Sequence, residues 1–282
     1  MEKYMKDIWG KLRTRVSREQ SFLIILYLAF VAYLDHTEYE KTLETTEDLE
    51  DFRRLGNIFE EIAGYELKRA ADDLEGSIAW KEISRDKKCA VLVRDLNQVL
   101  QKSIQSLEDL EKILTILEEL PTELDGLQFT PKSVNRLLTV LPLNPGTSSM
   151  AELYAGLGGT GLTMLDRRSG DDGIRDMVCE EQRKLYCDIV QIRMFCHGIN
   201  NPKVFQHDIL ETGAEGSKDR YDLVLADLPK GKNESIFVGD RDLLMGSQEK
   251  LYTEWVSIQK ILERVNDQGK AVIVVTKGAL VR

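Results

Sequence analysis

A cluster of glycines constrains this chain more than any other feature. In Ala151-Glu152-Leu153-Tyr154-Ala155-Gly156-Leu157-Gly158-Gly159-Thr160-Gly161-Leu162, four glycines follow an acidic residue and a short apolar lead-in. Glycine has no Cβ, so such a loop takes left-handed backbone angles and lies flat against a ligand. Placed between a first strand and the helix after it, the loop is the device by which α/β folds hold a nucleotide-like cofactor. The spacing Gly156-Leu157-Gly158-Gly159 departs from the G-x-G-x-x-G register, which speaks against a dinucleotide dehydrogenase.

The chain around the loop divides into regions of different kind. From residue 1 to 120 the apolar residues recur at three- and four-residue spacings, as in Phe52, Leu55, Ile58, Phe59 and Ile62 or Val91, Leu92, Leu96, Val99 and Leu100. That period predicts an all-α domain. The acidic stretch 38–51 reads as a solvated turn and helix start. A junction spans 121–148: Pro121 ends a helix, Asp125-Gly126 marks a turn, and Thr130-Pro131 caps and starts a helix over 132–141. Pro142, Asn144, Pro145 and Gly146 close it. From 149 to 282, short apolar runs at 150–154, 177–179, 203–205, 221–226 and 270–276 alternate with helical segments at 181–197 and 249–265. Strands alternating with helices predict a parallel sheet covered on both faces.

Charge and length bound the function. Lys+Arg total 38 against Asp+Glu 48, a net charge of -10 over 282 residues, which is the wrong sign for gripping a DNA backbone unaided. DNA presented by a basic partner stays compatible. The longest apolar run, Phe22–Leu34, has thirteen residues, short of the roughly 18–20 that span a bilayer, so a buried helix is expected and no membrane association. Cys89, Cys179, Cys187 and Cys196 lack paired spacing and read as reduced, packed thiols of a cytoplasmic protein. No metal site is expected. The basic N-terminus, with Lys3, Lys6, Lys11, Arg13, Arg15 and Arg18, reads first as a solvated helix face. Trp9, Trp80 and Trp255 read as core.

Three strands of the second half end in carboxylates, Glu180, Asp208 and Asp227, on the side where such sheets bind ligands. With the loop they resemble the adenine-N6 DNA methyltransferases, and more closely the modification subunits of type I restriction–modification systems. The segment Phe129-Thr130-Pro131-Lys132 is similar to the family's segment before its catalytic domain. Glu152–Gly159 resembles Asp-Pro-x-Cys-Gly-x-Gly-Gly. Val178-Cys179-Glu180 resembles Gly-Gln-Glu, Arg193–Ile199 the helix ending in His-Gly-Ile, and Gln206-His207-Asp208-Ile209-Leu210 the Gly-Asp-Thr-Leu segment.

The resemblance implies a Rossmann-like S-adenosylmethionine-dependent methyltransferase sheet, cut short at its C-terminal end, after an all-α N-terminal domain. It implies S-adenosylmethionine as cofactor, held by Thr130, Ala155, Gly156, Gly158 and Gly159. Glu152 is expected on the cofactor's ammonium, Glu180 on its ribose hydroxyls, Asp208 on its adenine amine, and Ile209 or Val178 on the ring. The family's Asn-Pro-Pro-aromatic motif reads Asp227-Leu228-Pro229-Lys230 here. Asp227 keeps the amine-accepting role, while Lys230 stands where the stacking ring would be and Phe237 is a substitute ring downstream. The family's last strands and helical tail have no counterpart here, so the chain reads as a fragment or a reduced homologue. The expected partners are DNA reached through a specificity subunit, and a restriction subunit, in a hetero-oligomer. The alternative is a methyltransferase fold with impaired catalysis, serving as an assembly or regulatory partner.

Overall fold

The structure, a computed structural model, describes residues 1–36, 65–120, 130–140, 146–167, 174–199, 201–210, 219–229, 235–236 and 251–277. The acidic stretch 38–51, the helical pattern 52–62, the turn at Asp125-Gly126, Pro142 and Phe237 lie outside them. The chain forms two units, residues 1–127 with 195–200, and residues 128–194 with 201–282.

The first unit is helical: α1 (Glu2–Leu12), α2 (Arg18–His36), α3 (Tyr65–Gly76), α4 (Trp80–Arg85), α5 (Lys87–Ser103) and α6 (Leu107–Glu119). The run Phe22–Leu34 lies inside α2, and its residues from Ile24 to Phe30 have no exposed surface. A helix apolar on every side must be enclosed, and α2 is the axis of this core. Among the described residues, no helix is long and apolar enough to cross a membrane. Side chains cap the starts of α5 and α6. The Asp86 carboxylate accepts from the Lys88 and Cys89 amides at 3.0 and 3.2 Å, and Ser106 Oγ accepts from the Asp109 amide at 3.2 Å. The basic N-terminus is partly neutralised by ion pairs, Lys6 with Glu2, Lys11 with Asp7 and Arg15 with Asp86.

The second unit carries α7 (Lys132–Val140), β1 (Ser149–Leu153), α8 (Gly159–Arg167), β2 (Asp176–Glu181), α9 (Lys184–Cys196), β3 (Lys203–Gln206), β4 (Tyr221–Asp227), β5 (Ser235–Ile236), β6 (Leu251–Tyr252), α10 (Thr253–Glu263) and β7 (Val265–Val274). Five strands form a parallel sheet in the order β3-β2-β1-β4-β7. The winding direction reverses at β1, so a crevice opens beyond its carboxyl end, between the connections on either side. On one face, Ala151, Leu153, Val178, Val224, Ala226 and Leu228 form the core with Ile258 and Ile261 of α10. The opposite face carries Glu152, Met177 and Cys179 beneath α8.

Several elements differ from the sequence reading. Leu251 and Tyr252 pair with Ile236 and Ser235 in a small antiparallel ribbon, so the helix starts at Thr253 rather than 249. The last strand begins at Val265 because a bulge lets the segment before Gly269 follow β4. A Cβ on Gly269 would stand 2.8 Å from the Tyr221 carbonyl oxygen, which explains the glycine. Trp255 is 40% exposed and therefore not core. Strand β2 runs one residue further than expected, to Glu181.

One carboxylate ties the foot of the sheet together. Asp222 accepts from the Ser148 and Ser149 amides at 2.9 and 3.0 Å and from Asn266 Nδ2 at 2.9 Å. The Ser148 amide, with help from Asn266 and Ser149, holds its carboxyl well below the usual range. A depressed acid stabilises the fold above its unfolded pKa and loses that contribution as pH falls through its folded value. We expect Asp222→Ala to cost about 2 kcal/mol at neutral pH. The deficit should shrink below about pH 4, as read by urea denaturation at pH 7 and pH 3.

Candidate cofactor pocket at the strand ends

The glycine loop begins with a left-handed turn in the backbone. Tyr154 has φ 57°, the one positive φ of a non-glycine residue among those described, and Gly156 and Gly158 follow at 54° and 73°. The Ala155 amide donates to the Glu180 carbonyl at 3.0 Å, and the Gly158 amide to the Ala155 carbonyl at 2.7 Å, closing the turn. Helix α8 starts at Gly159, and its first turn is met from below by a carboxylate, with the Gly161 amide donating to Glu152. Space enforces the glycines as much as dihedral angle does. A Cβ on Gly158 would meet Val190 Cγ1 at 3.2 Å, and one on Gly161 would meet Glu152 Oε2 at 2.5 Å.

Glu152 sits under this loop. Its carboxylate is 4% exposed and accepts from the Gly161 amide at 3.0 Å. Strand alternation turns it onto the face covered by α8, away from the crevice. In this structure the carboxylate, expected on a cofactor ammonium, is engaged by the first turn of α8. Burial pushes its carboxyl up to about 7, although the Gly161 amide and Arg193 pull the other way. Arg193, itself buried, donates to the Leu157 carbonyl and holds the loop from α9.

The two adjacent glutamates of β2 point to opposite faces. Glu180, the expected ribose ligand, is fully buried, with one oxygen on Arg264 and the other 3.0 Å from His207 Nδ1. Glu181 is the carboxylate at the loop. Its Oε2 accepts from the Gly156 amide and its Oε1 from the Arg183 amide, both at 2.9 Å. Burial raises its pKa, against those two amides. The sequence carried a signal for it: once the strand is extended by one residue, period-2 alternation puts Glu181 on the face opposite Glu180.

The remaining expected residues lie as follows. Asp208 Oδ2 accepts from Gln182 Nε2 at 2.8 Å and Oδ1 from the Leu210 amide at 3.0 Å. Ile209 and Val178 are buried in the core cluster. Asp227 ends β4 in the position next to Tyr154, since Leu153 pairs with Ala226. Its Oδ1 is buried without a hydrogen-bond partner. Leu228 is buried and Pro229 exposed, while Lys230 lies outside the described residues. Thr130 precedes α7, and Asn135 of that helix accepts from Thr160 Oγ1 at 2.6 Å, fastening α7 to the first turn of α8. Tyr154 rests on the core cluster with its hydroxyl 2.7 Å from Ser257 Oγ, and burial raises its phenol to about 12.

A family model for N-6 DNA methylase matches residues 110–282. The chain belongs to that family. No curated protein matches the chain. Among solved structures, a type I restriction–modification methyltransferase subunit from Streptococcus thermophilus aligns over 100% of this chain and 76% of its own, at TM-score 0.69 and 14% identity. A modification subunit assigned to a type I restriction enzyme of Vibrio vulnificus YJ016 aligns over 99% and 72%, at TM-score 0.64 and 15% identity. A chain from a type I system studied for its assembly aligns over 99% and 65%, at TM-score 0.64 and 17% identity. The fold is that of S-adenosylmethionine-dependent methyltransferases, as a class I member from Listeria monocytogenes also shows at TM-score 0.52 and 13% identity, over 84% and 75%. S-adenosylmethionine is the methyl donor of the N-6 methylases.

The raised pKa of Glu152 has a definite consequence for stability. Between about pH 4.5 and 7 the folded state holds a proton that the unfolded state has lost, so stability falls as pH rises through that window. Glu152→Gln keeps an acceptor for the Gly161 amide and removes the titration. Its stability should vary less than the wild type's across that window, measured by chemical denaturation.

Proposed function

We propose that the protein is an S-adenosylmethionine-dependent N6-adenine DNA methyltransferase, acting as the modification subunit of a type I restriction–modification system. The observation that carries this reading is the unpaired, buried Oδ1 of Asp227, set beside the glycine loop at the point where the sheet reverses its winding. A buried polar atom without a partner is rare and costly, and an amine donor would satisfy it.

The pocket residues fit the cofactor. The Gly156–Gly159 backbone leaves the space that a side chain would fill, and Glu181 offers two carboxylate oxygens beside that loop for vicinal hydroxyls. Glu152 and Arg193 keep the loop in shape from below. Bound there, S-adenosylmethionine supplies an electrophilic methyl group.

Chemistry on an adenine amine requires the base to leave the duplex. Asp227 Oδ1 then accepts a hydrogen bond from N6 and turns the nitrogen lone pair toward the methyl donor. Pro229 stiffens the turn that presents Asp227. Leu228, held in the core, anchors the same turn. With a net charge of -10, the chain relies on a specificity subunit to bring DNA, and a restriction subunit joins the same hetero-oligomer. Its four buried free cysteines suit the reducing cytoplasm.

Calorimetric titration with S-adenosylmethionine tests the pocket, and methyl transfer to mixed-sequence DNA with a specificity subunit tests the reaction. Absence of cofactor binding would overturn the reading. Binding without transfer would favour a non-catalytic assembly partner. Glu181→Ala should weaken cofactor binding roughly tenfold to a hundredfold, the worth of hydrogen bonds to a charged group, and should also lower the melting temperature, because the Gly156 and Arg183 amides lose their acceptor. Asp227→Ala should leave cofactor affinity within about threefold and reduce the transfer rate by at least about a hundredfold.

A further inference from the structure

We propose that the turn between α1 and α2, together with the corner where α4 meets α5, forms a face of the helical unit that binds the phosphate backbone of double-stranded DNA. The proposal rests on the reading of DNA as substrate and adds a surface that touches it.

Two segments distant in the chain make this face, and hydrogen bonds fix them together. Gln20 Nε2 donates to the Ser77 carbonyl at 2.7 Å, and Gln20 Oε1 accepts from the Ala79 amide at 2.8 Å. Arg15 meets Asp86 at 3.4 Å across the same gap. Between the segments lies an open groove of about 420 Å³, lined by Arg13, Arg15, Glu82 and Asp86, with the buried Ile83 and Cys89 also in its wall. A groove of that size takes a phosphate group with its water but not a duplex, so DNA lies across the rim.

Charge sets this face apart from the rest of the chain. Residues 13–20 and 79–89 carry seven Lys and Arg against three acids, whereas the whole chain has a net charge of -10. Arg18, Lys81, Arg85, Lys87 and Lys88 each follow or precede a residue of the groove wall, and all are exposed. On α1, Lys6 and Lys11 are held by Glu2 and Asp7. Among the described residues, Arg13, Lys81, Arg85, Lys87 and Lys88 form no ion pair. At physiological salt, charges are screened beyond about 8 Å, so acids elsewhere on the chain do not cancel a local surplus. Each phosphate that such a cation neutralises releases condensed counterions, and that release drives binding. Side chains on a rim of this kind reach no base edge, so the contact positions DNA without selecting a sequence. An acidic chain thus keeps one weak grip of its own on the duplex.

The test is fluorescence anisotropy of a labelled, mixed-sequence duplex of about 30 base pairs, titrated with the full chain between about 50 and 200 mM NaCl. The wild type should bind weakly, and the logarithm of its affinity should fall with that of salt at a slope of about -3, the mark of three or four phosphates. Lys87→Gln with Lys88→Gln should bring the slope close to -1, since each lost phosphate contact removes about one. Lys102→Gln, roughly 22 Å further along α5, is the control and should leave the slope as it was. A wild type without salt-dependent binding, or an equal loss from the control, overturns the proposal. So does competition by polyglutamate as strong as by unlabelled duplex, which would assign the face to an acidic protein surface. Titration of the same samples with S-adenosylmethionine separates this proposal from the function above. A chain that takes up the cofactor but not the duplex overturns the DNA-binding face alone. One that binds the duplex through Lys87 and Lys88 but no cofactor supports the face and overturns the methyltransferase reading.

Discussion

The hydrogen bond from the Gly161 amide to the buried Glu152 carboxylate is the contact on which the pocket depends. It joins the middle strand of the sheet to the first turn of α8 from beneath, where water is excluded and a lost bond has no substitute. Everything above it follows from that fastening. The backbone passes over the carboxylate so closely that only glycine fits at 161, and Gly158 faces Val190 in the same way. The loop is thus held from the protein side, which leaves its upper surface bare. A cofactor pocket made of backbone needs such support, because a glycine chain left to itself has many conformations to lose.

The sheet then distributes its carboxylates by face rather than by sequence. Glu180 and Glu181 are neighbours in the chain, yet one is a buried hub for Arg264 and His207 while the other bonds the loop. Tyr154, beside Asp227, takes a backbone angle that costs an ordinary residue about 1–3 kcal/mol. Its ring contact with the core and its bond to Ser257 offset that cost, and both hold the tip of β1 against α10. Strain kept at a strand end, next to an unpaired buried oxygen, fits a site that is preorganised for a ligand.

Much of this arrangement was readable in the chain. The continuous apolar run 221–226 predicts an interior strand, and Tyr221–Asp227 lies between β1 and β7. The run 22–34 predicts an enclosed helix, and α2 is one. What misled was placement at element ends. Leu251 and Tyr252 carry a helical pattern but pair with Ser235 and Ile236, since a partner strand can override local preference. Trp255 fits a core spacing, yet the residues that α10 buries are set by which stripe meets the sheet, and that stripe holds Val256 and Ile261.

By itself, the sequence determined the fold class and the glycine loop, because these rest on local period and on residues without side chains, and its motifs carried the resemblance to N6-adenine methylases. Which neighbours each carboxylate meets was decided only by the tertiary structure. Alternation along β2 sets Glu180 and Glu181 on opposite faces, and burial beneath α8 brings Glu152 to the Gly161 amide. Glu180 becomes a buried hub because Arg264, 84 residues further along the chain, closes on one of its oxygens while His207 meets the other. Such roles come from neighbours brought together across the sheet, and spacing along the chain holds no record of them.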